Sequence, residues 1–239
     1  MAIDGSLSLE ERDDAVLAST VLLLRHSASG PEVLLLKRNS NARNMADLWM
    51  FPGGKVDDDD HGVEELDRVK TAAVRELEEE ASVTLPVAAL TGFSHWLTPA
   101  GMKRRFATWF FVAELPAGTP VNVDGEEMVE ARWVRPKDAV AEHQAGKLRL
   151  PPPTVISLID LSHYISVDAV VTAARRRVAP YFFPKVCAKD PKDVIMLYPG
   201  DAGYEFSDRS VKGARHRAMW VDGVIIYQRD FHFPDLDSL

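Results

Sequence analysis

Four glutamates crowd into six residues of this chain, in the segment Arg75-Glu76-Leu77-Glu78-Glu79-Glu80. The residues around them predict a helix over 63–81, because apolar side chains recur there at helical spacing. These apolar positions are Leu66, Val69, Ala73 and Leu77. At about 100° per residue, Glu76, Glu79 and Glu80 share one face beside the apolar stripe. Neighbouring carboxylates repel one another, and acids at a helix C-terminus oppose the macrodipole, so the cluster predicts a bound cation.

Composition places the chain among soluble globular proteins, since 46% of its 239 residues are hydrophobic and 27% are charged. A net charge of −8 argues against a general nucleic-acid or anionic-membrane binder. No apolar run approaches the roughly 20 residues that span a bilayer, and residues 1–15 lack the features of a secretory signal. The single cysteine, Cys187, excludes an internal disulfide and fits a reducing compartment, so we expect a cytoplasmic protein.

Strands and helices are predicted along the whole chain, which indicates an α/β fold. Apolar, β-branched segments at 15–24 and 32–37, separated by Gly30-Pro31, predict a hairpin. Further strands are predicted at 93–97, 106–115, 129–134, 181–187, 194–198, 215–221 and 224–229. Further helices are predicted at 137–145, 154–161 and 167–177, the last with Ser166 as its N-cap.

The proline run at 151–153 is a natural domain boundary. It divides a core domain, 1–150, from a C-terminal extension, 151–239, made of helices followed by β-hairpins. The apolar strands of this extension need a partner surface. We expect them either to pack on the core or to form a homodimer interface.

Several polar residues outside the glutamate cluster have a structural and a functional interpretation. The loop at 57–62 carries four successive aspartates, and we expect a solvated turn rather than a cation site, because adjacent loop side chains rarely converge on one ion. His95 is expected to be structural. His216, between two arginines, is expected on a solvated strand face, with an anion-binding patch as the alternative.

The glutamate segment, together with Phe51-Pro52-Gly53-Gly54-Lys55-Val56 before it, resembles the Nudix box. That pattern reads Gly, five residues, Glu, seven residues, Arg-Glu, an aliphatic, any residue, Glu-Glu, any residue, Gly, an aliphatic. In this chain the gap from Gly54 to Arg75 is longer by about seven residues. Asp67 stands where the pattern has its first Glu. Ser82 replaces the closing Gly, and because a left-handed Ser costs about 1 kcal/mol, we expect the helix to end differently.

The resemblance implies a Nudix fold, a mixed sheet between helices, and hydrolysis of a diphosphate linkage with Mg²⁺ or Mn²⁺. The implied metal ligands are Glu76, Glu79, Glu80 and the Gly53 carbonyl, a set of oxygens that suits hard cations. Arg75 would pair with Glu79 and fix its rotamer. A later loop supplies a further candidate ligand, Glu127 in preference to Glu126. The implied catalytic residues are Glu79, Glu76 and Arg75, and any of the three metal-face glutamates could accept the proton.

A finer resemblance points to the acyl-coenzyme A diphosphatase branch of that family, the motif 19 type. It is carried by Leu34-Leu35-Leu36-Lys37-Arg38, Trp96-Leu97-Thr98-Pro99 and Arg105-Phe106-Ala107-Thr108. It implies a small-molecule nucleotide-diphosphate substrate, coenzyme A or acyl-coenzyme A, giving 3′,5′-ADP and (acyl-)phosphopantetheine. The candidate phosphate-binding residues are Lys37, Arg38, Arg43, Lys55, Lys103, Arg104 and Arg105. Candidates for stacking on adenine, with core packing as the alternative, are Trp49, Phe51 and Trp96.

Two other functions compete with coenzyme A hydrolysis. One is a pyrophosphatase acting on ADP-ribose or NADH. The other is a ligand-sensing Nudix module without turnover, which would be expected to have lost its carboxylates. The intact Arg75, Glu76, Glu79 and Glu80 favour an enzyme.

Overall fold

The computed structural model describes residues 12, 14–188 and 193–231. Most of the segment in which a secretory signal was sought, 1–15, therefore lies outside the described residues. The helices are α1 (Glu65–Ala81), α2 (Pro136–Gln144), α3 (Pro152–Leu161) and α4 (Val167–Arg176), with a 3₁₀ turn at Val87–Ala89. The strands are β1 (Ala15–Ser27), β2 (Gly30–Arg38), β3 (Trp49–Met50), β4 (Thr91–Leu97), β5 (Arg105–Glu114), β6 (Met128–Val134), β7 (Tyr181–Phe182), β8 (Lys185–Ala188), β9 (Val194–Leu197), β10 (His216–Val221) and β11 (Val224–Arg229).

The main sheet is mixed, as the sequence predicted. Its strands follow the order β3-β2-β1-β5-β4-β7, and β6 also pairs with β2. β1 runs parallel to β5, and β4 runs parallel to β7, whereas the other pairs in this sheet are antiparallel. Helices cover both faces, so the α/β prediction with a mixed sheet between helices is confirmed.

The first hairpin is confirmed, but its turn lies earlier than predicted. β1 and β2 pair antiparallel up to Ser27 and Gly30, so Gly30-Pro31 begins β2 rather than forming the turn. Ser27 Oγ donates to the Gly30 carbonyl at 2.8 Å and closes the hairpin. Both strands are buried on both faces, which explains why their sequences are apolar runs rather than alternating patterns.

Helix α1 packs its apolar stripe against one face of the sheet. Val69, Ala73 and Leu77 are fully buried there, while the first residue of the stripe, Leu66, is partly exposed. A capping box starts the helix, in which the Glu64 N–H donates to Asp67 Oδ2 at 3.2 Å. Asp67, which stands eight residues before Arg75 where the pattern has its first Glu, therefore caps the N-terminus of α1.

The expectation that Ser82 ends the helix differently from a glycine was wrong. Ser82 adopts the left-handed conformation, with φ 56° and ψ 34°, and its N–H donates to the Glu78 carbonyl at 2.9 Å. The Ser82 hydroxyl also donates to the Asn122 carbonyl at 3.1 Å. That side-chain bond, which a glycine lacks, offsets part of the strain of the left-handed backbone.

The C-terminal extension packs on the other face of the main sheet. β7 extends that sheet beyond β4, and β8 to β11 form a separate antiparallel sheet. One buried cluster joins Leu22 of β1 to Ile156 of α3 and Ile225 of β11. The Ile225 N–H donates to His143 Nε2 at 2.9 Å, which ties the second sheet to α2. The predicted N-cap of α4 is present, since Ser166 Oγ accepts the Ala169 N–H at 3.1 Å.

The part of β10 that carries His216 is buried, so both sequence-based interpretations of this residue were wrong. His216 is only 1% exposed, and its ring nitrogens contact the Pro199 carbonyl at 2.6 Å and the Tyr227 hydroxyl at 2.8 Å. Its neighbour Arg217 is buried in an ion pair with Asp201 at 2.7 Å. These polar groups are buried because each one finds a partner in another segment.

The strands predicted at 215–221 and 224–229 are joined by a tight turn at Asp222-Gly223, with positive φ at both residues. Cys187 is buried in β8 as a free cysteine. None of the helices in the described part of the chain combines the length and apolarity required to cross a membrane.

The two effects at Ser82 can be separated by substitution. Ser82→Ala removes the hydroxyl bond and keeps the strain, so the free energy of unfolding should fall by about 0.5–1.5 kcal/mol. Ser82→Gly also removes the bond but relieves about 1 kcal/mol of strain, so it should stay close to the parent protein. Urea denaturation measures both. An alanine variant at least as stable as the glycine variant would contradict the strain argument.

Candidate functional site

The Gly53-Gly54 turn is held against β1 by backbone hydrogen bonds. The Ser19 N–H donates to the Gly54 carbonyl at 2.8 Å, and the Val21 N–H donates to the Pro52 carbonyl at 2.9 Å. A Cβ atom on Gly53 would lie 2.2 Å from the Ser19 carbonyl oxygen, and one on Gly54 would lie 2.1 Å from Glu76 Oε1. The strand backbone therefore requires glycine at position 53, whereas a side chain at position 54 would displace the carboxylate of Glu76.

The carboxylate of Glu80 is the most deeply buried of the α1 glutamates. Its side chain is 3% exposed, and its Oε2 accepts the Gly53 N–H at 2.8 Å. Burial is the main cause that raises the pKa of Glu80 to about 8; the charges of Glu76 and Glu127 also raise it, and the hydrogen bond from Gly53 lowers it. The pKa of Glu76 is also raised, by burial and by its acidic neighbours, in spite of Arg75.

Arg75 joins the glutamates to the preceding loop. Its Nη1 donates to Glu76 Oε1 and to Glu79 Oε2, both at 3.0 Å. The predicted pairing of Arg75 with Glu79 is therefore present. The other side of the guanidinium contacts the Lys55 carbonyl at 3.0 Å and both carboxylate oxygens of Asp60, at 2.9 and 3.0 Å. Hydrogen bonding to Asp60 is the largest influence that raises the pKa of Arg75, which keeps the guanidinium charged.

Asp60 is the site residue that sequence reasoning missed. The loop at 57–62 was expected to be solvated, and Asp58 and Asp59 are exposed, but Asp60 is only 2% exposed. Burial raises its pKa, but hydrogen bonds from Arg75 and from the Asp57 N–H outweigh this effect, so the net pKa is lowered. A sequence signal could have found it, because the spacing of the pattern's glycine and first acid, counted forward from Gly54, falls on Asp60.

Glu127 reaches the same region from the loop before β6. Its charge raises the pKa of both Glu76 and Glu80, and its carboxylate pairs with Arg38 at 2.7 Å. Asp124 Oδ1 accepts the backbone N–H of Glu127 at 2.6 Å, which holds this loop in place. The later-loop acid favoured from the sequence therefore lies near the α1 carboxylates.

The candidate phosphate-binding cations fall into three groups. Arg43 and the Lys55 side chain are exposed, as are Lys103 and Arg104. Lys37 and Arg38 are paired with acids of the β6 region, Lys37 with Glu130 at 2.9 Å. Arg105 is a correction, because it is only 8% exposed and is held by Asp14, by the Thr98 carbonyl and by the ring of Phe183. These contacts make Arg105 a structural residue rather than a phosphate ligand.

Most of the aromatic candidates are packed against other aromatic rings in the core. Phe51 is 3% exposed and packs edge-on against Phe110 with ring centroids 6.4 Å apart, so the adenine-stacking role proposed for it is corrected to a core role. Trp96 is stacked on Phe182 with centroids 4.0 Å apart, whereas Trp49 is partly exposed. His95 is buried against Trp109 and its pKa is lowered to about 4 by burial, which agrees with its predicted structural role.

The site therefore combines a glycine turn with several carboxylates on one face of α1. The side chains of Glu76 and Glu80 face that turn, and Glu79 is exposed beside Arg75. Three acids near one another, one of them deeply buried, are costly without a counter-charge. Their oxygen donors fit a hard divalent cation such as Mg²⁺ or Mn²⁺.

Comparison with known proteins places this geometry in a family. A family model described as the NUDIX domain matches residues 16–153. A putative nudix hydrolase 7 of Caenorhabditis elegans is 32% identical over 165 residues, 54% of this chain and 55% of that protein. The acyl-coenzyme A diphosphatases NUDT19 of Xenopus laevis and Homo sapiens are 36% and 35% identical, over 34% of this chain and 22% of their own length. The chain thus spans about half of the first relative and about a fifth of the other two.

A solved structure supports the assignment of the fold. The crystal structure of a NUDIX hydrolase from Alicyclobacillus acidocaldarius superposes with a TM-score of 0.59 at 20% identity, covering 70% of this chain and 97% of that one. The family match covers more than half of the chain, including the glycine turn, all of α1 and the Glu127 loop. The chain therefore belongs to the NUDIX domain family.

Proposed function

We propose that this protein is a metal-dependent hydrolase of diphosphate linkages in nucleoside diphosphate-X substrates. One observation carries the proposal: Glu76 and Glu80 of α1 face the Gly53-Gly54 turn, while Arg75 holds Glu79 beside them. A diphosphate resists attack by water because its oxygens are negatively charged. The same carboxylates that repel one another supply the ligands for cations that neutralise this charge.

The side chains have different parts in this reaction. Mg²⁺ or Mn²⁺, when bound, neutralises substrate charge and lowers the pKa of a bound water. Glu80, Glu76 and the Gly53 carbonyl are the proposed inner ligands, with Glu127 as the ligand from the later loop. Glu79 is exposed and held by Arg75, so it combines access to water with a fixed orientation. We therefore assign proton acceptance to Glu79.

Coenzyme A or acyl-coenzyme A is the substrate class we favour. The support is the similarity to the two acyl-coenzyme A diphosphatases, which covers a third of this chain. The exposed Arg43 and Lys55 are proposed phosphate contacts, and Arg38 would join them where its pairing with Glu127 permits. The products would be 3′,5′-ADP and phosphopantetheine, free or acylated.

Two alternatives are open to direct test. An ADP-ribose or NADH pyrophosphatase needs the same carboxylates and differs only in what surrounds the diphosphate. A ligand-sensing module without turnover does not need the full carboxylate set, so the presence of Arg75, Glu76, Glu79 and Glu80 supports an enzyme.

A substrate panel separates the two enzymatic functions. The purified protein is incubated with Mg²⁺ or Mn²⁺ and coenzyme A, acetyl-coenzyme A, ADP-ribose or NADH, and the products are resolved by chromatography. We expect 3′,5′-ADP from the coenzyme A substrates at the highest kcat/KM. Faster release of AMP from ADP-ribose would support the alternative enzyme, and no turnover of any substrate would support the ligand-sensing module.

Substitution on α1 tests whether the metal-face carboxylates carry the turnover. Glu79→Gln should lower kcat by at least about 100-fold, because it removes a metal-site charge and the proposed proton acceptor. Glu78→Gln is the matched control, since Glu78 is exposed on the same helix and makes the same charge change. Equal kcat values for the two variants would move the catalytic role away from Glu79.

The buried carboxylate of Glu80 predicts a pH dependence of stability in the metal-free protein. Burial raises its pKa to about 8, above the unfolded value of about 4.3. Its contribution to folding stability is thus complete below about pH 4 and is lost as the pH rises through 8.

Urea denaturation in chelator measures this effect in the parent protein and in Glu80→Gln. The free energy of unfolding of the parent, relative to the variant, should fall between pH 5 and pH 8. Saturating Mg²⁺ should restore the parent at pH 8 and leave the variant almost unchanged. A difference that does not vary with pH would contradict the buried charge.

A further inference from the structure

A histidine and two carboxylates converge at one end of the main sheet. His26 lies near the end of β1, Glu114 is the last residue of β5, and Asp168 lies in the first turn of α4. Their ligand atoms, one imidazole nitrogen and two carboxylate oxygens, all lie within 4.8 Å of one another. His26 Nε2 and Glu114 Oε1 are 3.1 Å apart. Three separate elements therefore bring nitrogen and oxygen donors to one place.

The backbone fixes the positions of these residues. β1 and β5 pair in parallel with Leu24 opposite Glu114, and the Leu115 N–H donates to the Leu24 carbonyl at 2.7 Å. His26, two residues after Leu24, projects to the same face of the sheet. Leu24 and Val170 of α4 belong to one buried cluster, so α4 packs on that face. The start of α4 is thus held beside the ends of both strands.

The charges of this cluster favour a bound cation. Glu114 and Asp168 bring two carboxylates together, and like charges at short distance repel each other. A neutral imidazole cannot offset that repulsion, whereas a divalent cation offsets it and also uses the imidazole as a ligand. All three side chains are exposed, so an ion can enter directly from the solvent.

The donor atoms indicate which cation fits. Imidazole nitrogen suits Zn²⁺ and neighbouring transition metals, whereas Mg²⁺ prefers oxygen ligands. Zinc bonds of about 2.0–2.2 Å at tetrahedral angles place neighbouring ligand atoms about 3.3 Å apart. The 3.1 Å between His26 Nε2 and Glu114 Oε1 is close to that separation. Three protein ligands leave one tetrahedral position for water.

This cluster is separate from the carboxylates of α1. The glycine turn beside α1 is bonded to β1 at Ser19, and His26 lies seven positions farther along the strand. At about 3.3 Å per residue, the two places are roughly 20 Å apart. The oxygen donors of the α1 face and the mixed donors at His26 therefore suit different ions.

We infer that His26, Glu114 and Asp168 form a second metal site, which binds Zn²⁺. The ion ties the start of α4, in the C-terminal extension, to the ends of two strands of the core. It therefore stabilises the packing of the extension on the main sheet. The ion has no part in diphosphate hydrolysis, so this inference does not rest on the proposed function.

Zn²⁺ affinity, measured by competition with a chromophoric chelator, tests the ligands. Excess Mg²⁺ is present throughout to compete for the oxygen ligands of α1. His26→Gln and Asp168→Asn should each lower the affinity at least about tenfold, because each removes a ligand. His163→Gln is the matched control, since His163 is an exposed histidine outside the cluster, and it should bind Zn²⁺ as tightly as the parent.

Thermal unfolding in excess Mg²⁺ provides a second measurement. Zn²⁺ at about 100 times its Kd should raise the Tm of the parent by about 5–10 °C. The same Zn²⁺ concentration should raise the Tm of His26→Gln much less. Glu80→Gln, which weakens the α1 site, should keep the full Zn²⁺-dependent increase. Because His26 is exposed, His26→Gln should unfold near the parent's Tm when no Zn²⁺ is added.

Each outcome supports or contradicts the second site. Equal Zn²⁺ affinities for the parent, His26→Gln and Asp168→Asn would overturn the inference. A Zn²⁺-dependent increase in Tm that disappears in Glu80→Gln would also overturn it, because the ion would then lie on α1. A parent protein that binds Zn²⁺ through His26 but hydrolyses no diphosphate would overturn the proposed function alone.

Discussion

The rest of this site depends on the close approach of a glycine turn to the acidic face of α1. Gly53 and Gly54 lie so near β1 and Glu76 that a single methyl group on either would clash. That approach removes water from Glu80 and gathers negative charge where little solvent can screen it. The protein tolerates this arrangement through a backbone N–H, an arginine and, as we propose, a divalent ion. In our proposal, the repulsion between these like charges is the property that favours binding of a metal ion.

The surrounding sheet explains how such an approach stays in register. β1 is buried on both faces and pairs with β5 along most of its length, so the strand that holds the glycine turn has little freedom. Helix α1 is fixed on the same sheet by Val69, Ala73 and Leu77. The glycine turn is bonded to β1, and α1 packs on the sheet that contains β1. Core packing therefore sets the distance between Gly53 and Glu80, rather than the loop itself.

Apolar periodicity predicted most of the fold, because burial of apolar side chains is decided locally by strand and helix geometry. Most strands, α1 and the shared face of its glutamates follow from spacing alone, and the box resemblance added Glu127, whereas β3 was not predicted and the strand predicted at 181–187 is divided into β7 and β8. Buried polar residues were harder to predict from the sequence. His216 and Arg105 are buried by partners more than ten residues away, and no local pattern predicts such partners, whereas the spacing from Gly54 could have identified Asp60. Ser82 was mispredicted for a related reason, since its strain is offset by the distant Asn122 carbonyl.

The proline run at 151–153 lies at the start of a helix of the C-terminal extension. Proline lacks an N–H and fixes φ, which suits the first turn of a helix as well as it suits a linker. Here α3 begins at Pro152, and its residue Ile156 enters a core shared with β1. Removing residues 151–239 would therefore uncover the apolar face of the main sheet opposite α1. We propose that the extension is required to keep β1 rigid, so that the geometry of the carboxylate site depends on residues that lie far from it in sequence.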